Sequence, residues 1–114
     1  FVDHPIVDDR LQELNFGKWE GATKQQISKQ TDCSFKDGSW HFNSPGGETF
    51  AMISARALEF LNDLDEPAVL VTHGVTSRVL RGLCLGLCQA DMLKLPIGQG
   101  CIYHLVNGTE RVLR

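Results

Sequence analysis

With 114 residues, 42% of them hydrophobic and 22% charged, the chain fits one globular domain or a large piece of one, and it can bury a core. Its net charge of −3 and pI near 5.7 come without any Lys/Arg block, which excludes the phosphate-backbone attraction that nucleic-acid binders rely on. No apolar run approaches the roughly 20 residues needed to cross a bilayer, so neither nucleic acid nor membrane is an expected partner.

Residues 1–22 are turn-rich, punctuated by Pro5, Gly17 and Gly21, which predicts a loop around one short extended piece near Pro5–Val7. Thr23 and Gln26 have capping-box spacing, so a helix is expected from Lys24 to Lys29. From Thr31 to Gly47 the chain is rich in Gly, Asn, Ser and Pro, with Trp40 and Phe42 between them, and reads as an excursion. Phe50, Ile53, Ala57, Phe60, Leu61 and Leu64 then recur at helical spacing, predicting a long amphipathic helix over 49–64 that stops before Pro67.

Ala68–Thr72 is a continuous apolar run, expected to be a buried strand. It leads through His73-Gly74 into a second helical pattern at Val75, Val79, Leu80, Leu83 and Leu87. Asp91–Leu95 adds a turn of helix before Pro96. Cys101–Val106 and Arg111–Leu113, joined through Asn107-Gly108, have the signature of a tight hairpin. A strand apolar on both faces wants parallel neighbours, which this inventory does not supply, so part of the sheet is expected upstream of Phe1.

Cys84 and Cys88 lie one helical turn apart without a C-x-x-C pattern, and with Cys33 and Cys101 they are expected to be buried free thiols. Free thiols suit a reducing compartment, and the visible N-terminus carries neither a basic segment nor an apolar signal core, so a cytoplasmic location is expected. No His/Cys/Asp/Glu cluster has metal-ligand spacing, and no cofactor is implied.

Three stretches carry candidate chemistry. His73 sits at a strand-to-helix junction, where open α/β sheets present ligand groups. Backbone donors there, beginning with Gly74 and Val75, together with the helix dipole, suit a phosphate; a satisfied structural histidine is the competing reading. In Arg10-Leu-Gln-Glu13-Leu-Asn-Phe-Gly17-Lys-Trp19-Glu20-Gly21, Glu13 or Glu20 could serve as a general acid, although loop carboxylates are usually solvated. Pro45-Gly46-Gly47-Glu48-Thr49 is explained by a turn followed by a helix start, with Glu48 or Thr49 favouring the helix N-terminus.

In this order the stretches RLQELNFGKWEG, PGGETF and VLVTHGVTSRVLRGL resemble the histidine phosphatase (phosphoglycerate-mutase-like) superfamily, from about residue 8 to the C-terminus. The resemblance implies an α/β fold in which 1–114 is the C-terminal portion of one domain, a mainly parallel sheet flanked by helices and ending in a C-terminal hairpin. It also implies hydrolysis of a small phosphorylated substrate through a phosphohistidine. Glu13 would protonate the leaving oxygen, His73 would stabilise charge on the transferring phosphoryl, and Gly74 and Val75 would line the phosphate.

The family's nucleophile lies in an Arg-His-Gly motif, and no such tripeptide occurs here. It is therefore expected upstream, and this segment alone is expected to be inactive. His4, His41 and His104 read as surface or structural residues, and Arg78 as a solvated helical arginine. The compact ending at Gln99-Gly100-Cys101 is similar to phosphatases of the alpha-ribazole type. The alternatives are mutase-type phosphoryl transfer using the same Glu13 and His73, or a noncatalytic phosphate-binding domain. The sequence leaves the oligomeric state open.

Overall fold

The computed structural model describes residues 4–32 and 34–114. Helix α1, Lys24–Gln30, starts on a complete capping box. Thr23 Oγ1 accepts from the Gln26 N–H at 3.1 Å while Gln26 Oε1 accepts from the Thr23 N–H at 2.9 Å, satisfying two donors that the first turn leaves free. Within the following excursion, Asp37 accepts from the Ser39 N–H at 2.8 Å and starts a 3-10 turn over Gly38–Phe42 that delivers Phe42 to the core.

Helix α2, Phe50–Asp63, is capped by Thr49, whose hydroxyl accepts from the Met52 N–H at 3.2 Å. Its buried positions Ile53, Ala57 and Phe60 follow the helical period. Helix α3, Gly74–Leu85, ends at Gly86 in the left-handed region at φ 70°, where glycine has no side chain to clash. It turns Val75, Val79 and Leu80 against α2, and Leu14 and Phe42 complete the core. Helix α4, Gln89–Met92, begins two residues before the expected turn and presses Met92 onto Gly82, where an added Cβ would lie 2.1 Å from the Met92 Cγ.

Strands β1, Ile102–Val106, and β2, Thr109–Leu113, pair antiparallel across the two-residue loop Asn107-Gly108, with φ of 52° and 74°. This hairpin is the only sheet among the described residues. The expected mainly parallel sheet flanked by helices is therefore corrected: helices dominate. Residues 68–72 run from α2 to α3 without a ladder partner. Leu70 packs on the core and the Thr72 hydroxyl donates to the Leu11 carbonyl at 2.5 Å, but Val69 and Val71 are 66% and 87% exposed.

A parallel neighbour needs a crossover from another extended segment. Pro5–Val7, equally without strand pairing, lies across a groove of about 490 Å³ from 68–71, with Ile6 and Val7 almost fully exposed. Apolar pattern alone thus marked residues that extend, but not a ladder for them to join.

The cysteine expectation is also corrected in part. Cys84, Cys88 and Cys101 are free, but Cys88 is exposed and the other two are half-buried; Cys33 lies outside the described residues. Burial pushes the Cys84 thiol up from its ordinary range.

Two arginines fix the outer elements. Arg81, 3% exposed, donates from Nε and Nη2 to the Glu110 carboxylate at 2.6 and 3.2 Å and from Nη1 to the Pro96 carbonyl at 2.8 Å, with its guanidinium 3.6 Å from the centre of the Tyr103 ring. This planar fork ties the hairpin to α3. Arg10 bridges Asp8 to Asp63 on α2 at 2.8 and 2.6 Å.

Arg81→Ala is expected to destabilise the fold by about 3–5 kcal/mol, because it strands the half-buried Glu110; an unchanged urea midpoint would refute that role. Side-chain and backbone hydrogen bonds from Arg10 hold the Asp8 carboxyl down from 3.8 to about 2. Because the folded value is depressed, the Asp8 contribution is present above the unfolded value and lost as pH falls toward about 2. Urea midpoints of the native chain and Asp8→Asn are therefore expected to converge between about pH 5 and about pH 2.5, and a constant gap would contradict the linkage.

Candidate active site

Every backbone carbonyl in the turn around Glu13 needs a partner if that turn is to hold a shape, and partners come from two helices and the strand-like segment before α3. Arg56 on α2 donates from Nη1 to the Arg10 carbonyl at 2.6 Å and reaches the Glu13 carbonyl at 3.4 Å. The Thr72 hydroxyl takes the Leu11 carbonyl, and the Thr76 hydroxyl donates to the Gln12 carbonyl at 2.6 Å.

Arg56 is itself aligned by Glu48, at 2.8 Å from its Nε and 3.0 Å from Nη2. Burial pushes the Glu48 carboxyl up, but bonds from Arg56 and the Asn15 N–H outweigh it and hold the group below its usual range. Of the two residues expected to favour the helix start, Thr49 caps α2, and Glu48 serves as a clasp on Arg56.

The second glycine-rich stretch is sewn to the first. Glu48 N–H donates to the Asn15 carbonyl at 2.8 Å, Lys18 N–H to the Pro45 carbonyl at 3.0 Å, and the Ser44 hydroxyl to the Phe16 carbonyl. Gly17, at φ +50°, allows this approach: a Cβ there would stand 2.4 Å from the Gly47 nitrogen.

Glu13 then reaches the start of α3. Its Oε2 accepts from the Val75 N–H at 3.2 Å, and its Oε1 from the Thr76 N–H at 3.1 Å, the Thr76 hydroxyl at 3.2 Å and the Leu14 N–H at 2.9 Å. A carboxylate over free helix N–H groups complements the positive end of the helix dipole. The bare Gly74 Cα faces the same carboxylate, since a Cβ there would lie 3.8 Å from the Glu13 Oε2 and 3.0 Å from Ile97. His73 is the N-cap residue, with extended backbone, no capping bond from its side chain and an exposed ring.

Glu13, Gly74 and Val75 thus converge, with His73 next in the chain. The Val75 N–H, expected to face a phosphate, donates to Glu13 in this structure. Glu20 lies apart, exposed and accepting from the Phe16 N–H at 2.8 Å. The bonds of Thr76 and Arg56 to the Glu13 turn escaped the sequence reading because their partners lie dozens of residues away, and no local spacing encodes such bonds.

His41 also escaped it. Its Nδ1 is 2.7 Å from the Gly38 carbonyl, its ring is stacked on Trp40 at 4.1 Å and lies 5.9 Å from Phe16, and Arg78 and Glu13 are among the charges acting on it. His4 lines the groove beside 68–71, and His104 is exposed on the hairpin. Among the described residues, no group of three or more His, Cys, Asp or Glu side chains could hold a metal ion, and no helix is long and apolar enough to cross a membrane.

Comparison with known proteins adds an independent line. Glucosyl-3-phosphoglycerate phosphatase of Mycobacterium tuberculosis, in strains CDC 1551 / Oshkosh and ATCC 25618 / H37Rv, is 32% identical over 108 residues, covering 80% of this chain and 44% of the relative. 6-phosphofructo-2-kinase 1 of Saccharomyces cerevisiae is 24% identical over 112 residues, covering 90% of this chain and 14% of that protein. The chain spans less than half the length of the curated relatives it matches. Residues 3–112 match the histidine phosphatase superfamily (branch 1), and the chain belongs to that family.

Proposed function

We propose that these residues are the C-terminal portion of a single phosphatase domain that hydrolyses a small phosphomonoester through a phosphohistidine, with the nucleophilic histidine upstream of Phe1. The observation that carries this reading is the Glu13 carboxylate held over the first turn of α3, beside His73 and Gly74. A carboxyl group next to a helix start can carry a proton to the reacting group once phosphate takes over the helix donors it covers.

In the proposed cycle the upstream imidazole nitrogen bonds to phosphorus as the phosphorus–oxygen bond to the leaving group breaks, and Glu13 gives that oxygen its proton. Water then attacks phosphorus as the phosphorus–nitrogen bond breaks and its electron pair returns to the imidazole, while the Glu13 carboxylate takes a proton from the water. His73 donates to the phosphoryl oxygens, where charge is greatest, and the Gly74 N–H joins it. The Val75 N–H becomes available to phosphate only when Glu13 moves to meet the leaving oxygen.

The name of the Mycobacterium tuberculosis relatives favours hydrolysis over mutase transfer, and an organic phosphate with carbohydrate and carboxylate parts over an alpha-ribazole phosphate. The half-buried and exposed free thiols suit a cytoplasmic site of action.

The test is rapid-quench trapping on the full-length protein with an aryl phosphate and no added metal. An acid-labile phosphoprotein formed at the turnover rate is expected; hydrolysis without one would refute the covalent route. Glu13→Gln is expected to slow poor alkyl leaving groups about 10²-fold or more and activated aryl phosphates far less, and equal losses would remove its role as an acid. His73→Ala is expected to lower kcat by about 10²–10³-fold, the scale for removing one donor to developing charge, and near-native turnover would contradict the assignment.

A further inference from the structure

The excursion between α1 and α2 frames an open cleft of about 440 Å³, whose lining includes none of Glu13, His73, Gly74 and Val75. That volume falls within the roughly 300–1,000 Å³ of small-molecule sites. The end of α1 and the residues after it contribute Gln30, Thr31 and Asp32, the 3-10 turn over Gly38–Phe42 contributes Ser39, and Asn43 and Trp19 close the cleft.

Trp19 is 5% exposed, its ring packed 6.5 Å from that of Trp40 and its backbone N–H bonded to the Phe16 carbonyl at 2.9 Å. A buried indole N–H ordinarily has an acceptor, but the Trp19 Nε1–H has none among the described residues. The side-chain polar atom sealed in without a partner, among those residues, is Ser54 Oγ and not this nitrogen, so the indole N–H is reached from the cleft that Trp19 lines. Its acceptor has to come from what the cleft holds.

The side chains of Gln30, Thr31, Asp32 and Asn43 likewise make no hydrogen bond or ion pair among the described residues. Ser39 donates its proton to the Asp37 carboxylate at 2.5 Å and keeps its lone pairs. The cleft therefore sets amide and indole donors beside amide, hydroxyl and carboxylate acceptors. Among the described residues no Lys, Arg or His lines it, so an anion meets no opposite charge. One carboxylate on the exposed Asp32 adds little for a cation. A nucleobase would need an aromatic face to stack on, and the Trp19 ring is buried. A hydroxyl both donates and accepts, and adjacent hydroxyls on one ring match this mixed array.

We propose that the cleft is a binding site for a neutral sugar, with one hydroxyl oxygen accepting from the Trp19 Nε1–H and neighbouring hydroxyls bonded to Asn43, Gln30 and Asp32. The site performs no chemistry. Because no residue lining it belongs to the constellation around Glu13, it stands independently of the phosphatase reading.

The test is titration of the full-length protein with D-glucose, followed by NMR at the Trp19 indole N–H, a signal assigned by its loss in Trp19→Phe. A saturable shift with a Kd of about 1 mM is expected, the weak end of specific binding. Asn43→Ala and Gln30→Ala truncate exposed side chains and are expected to leave the urea midpoint unchanged. Each is expected to weaken D-glucose binding about two- to tenfold, the effect of losing one neutral hydrogen bond. Trp19→Phe, which keeps an aromatic ring but has no N–H, is expected to weaken it to a similar degree when binding is followed at the Asn43 side-chain amide.

Inorganic phosphate and putrescine serve as charged probes, and neither is expected to move the Trp19 signal. No shift with D-glucose, binding that all three variants retain, or a shift produced by phosphate or putrescine alone would overturn the proposal. D-glucose carries no phosphate and the readout is binding, so a protein that turns nothing over can still fill this site, and a fully active one that leaves the Trp19 signal unmoved by D-glucose refutes it.

Discussion

Three donors, the N–H groups of Leu14, Val75 and Thr76, converge on the Glu13 carboxylate, with the Thr76 hydroxyl, shared with the Gln12 carbonyl, at 3.2 Å. Bonds to a charged acceptor contribute about 1.5–3 kcal/mol each, and those from Val75 and Thr76 join a loop to a helix that starts sixty-one residues later in the chain. Much of the remaining architecture serves this junction. Helix α2 supplies Arg56, the 68–72 segment supplies Thr72, and α3 supplies Thr76, each taking a different carbonyl of the turn that carries Glu13. The core beneath it buries Leu14, the residue after the acid, against Ile53, Val75 and Val79. Packing fixes the height of the loop over α3, and hydrogen bonds fix its rotation.

Charge is arranged with the same economy of partners. Arg10 and Arg81 work at the two ends of the structure, one holding the first turn to α2 and the other holding the hairpin to α3. Arg56 lies between them, beneath the acid. These three are neutralised where they sit, and the positive end of α3 is the charge that meets Glu13.

What could be read from sequence was what is encoded within one turn or one period. Thr23 with Gln26, the stripe of Ile53, Ala57 and Phe60, and Asn107-Gly108 are self-contained signals, and each formed the element it specified. The 68–72 run failed as a strand for the opposite reason: a ladder is a property of two segments, and apolar character in one cannot create the other. The site divides along the same line. Glu13 and His73-Gly74 stood out in the sequence, but the bond from Val75 to Glu13 and the hold of Arg56 on the Arg10 carbonyl depend on contacts between distant segments.

The position of Glu13 also bears on how a site of this kind reaches its working state. A helix start bearing free N–H groups is stabilised by any anion that covers it, and in this structure the anion is the protein's own. In the proposed cycle, phosphate arriving at Gly74 would compete with Glu13 for the first turn, and a carboxylate displaced from Val75 and Thr76 would be freed toward the leaving oxygen. Ligand binding and placement of the acid would then be one event, because the same donors cannot serve both groups at full strength. The clamp on the loop backbone through Arg56, Thr72 and Thr76 allows this exchange to proceed by side-chain rotation, without the loop itself letting go.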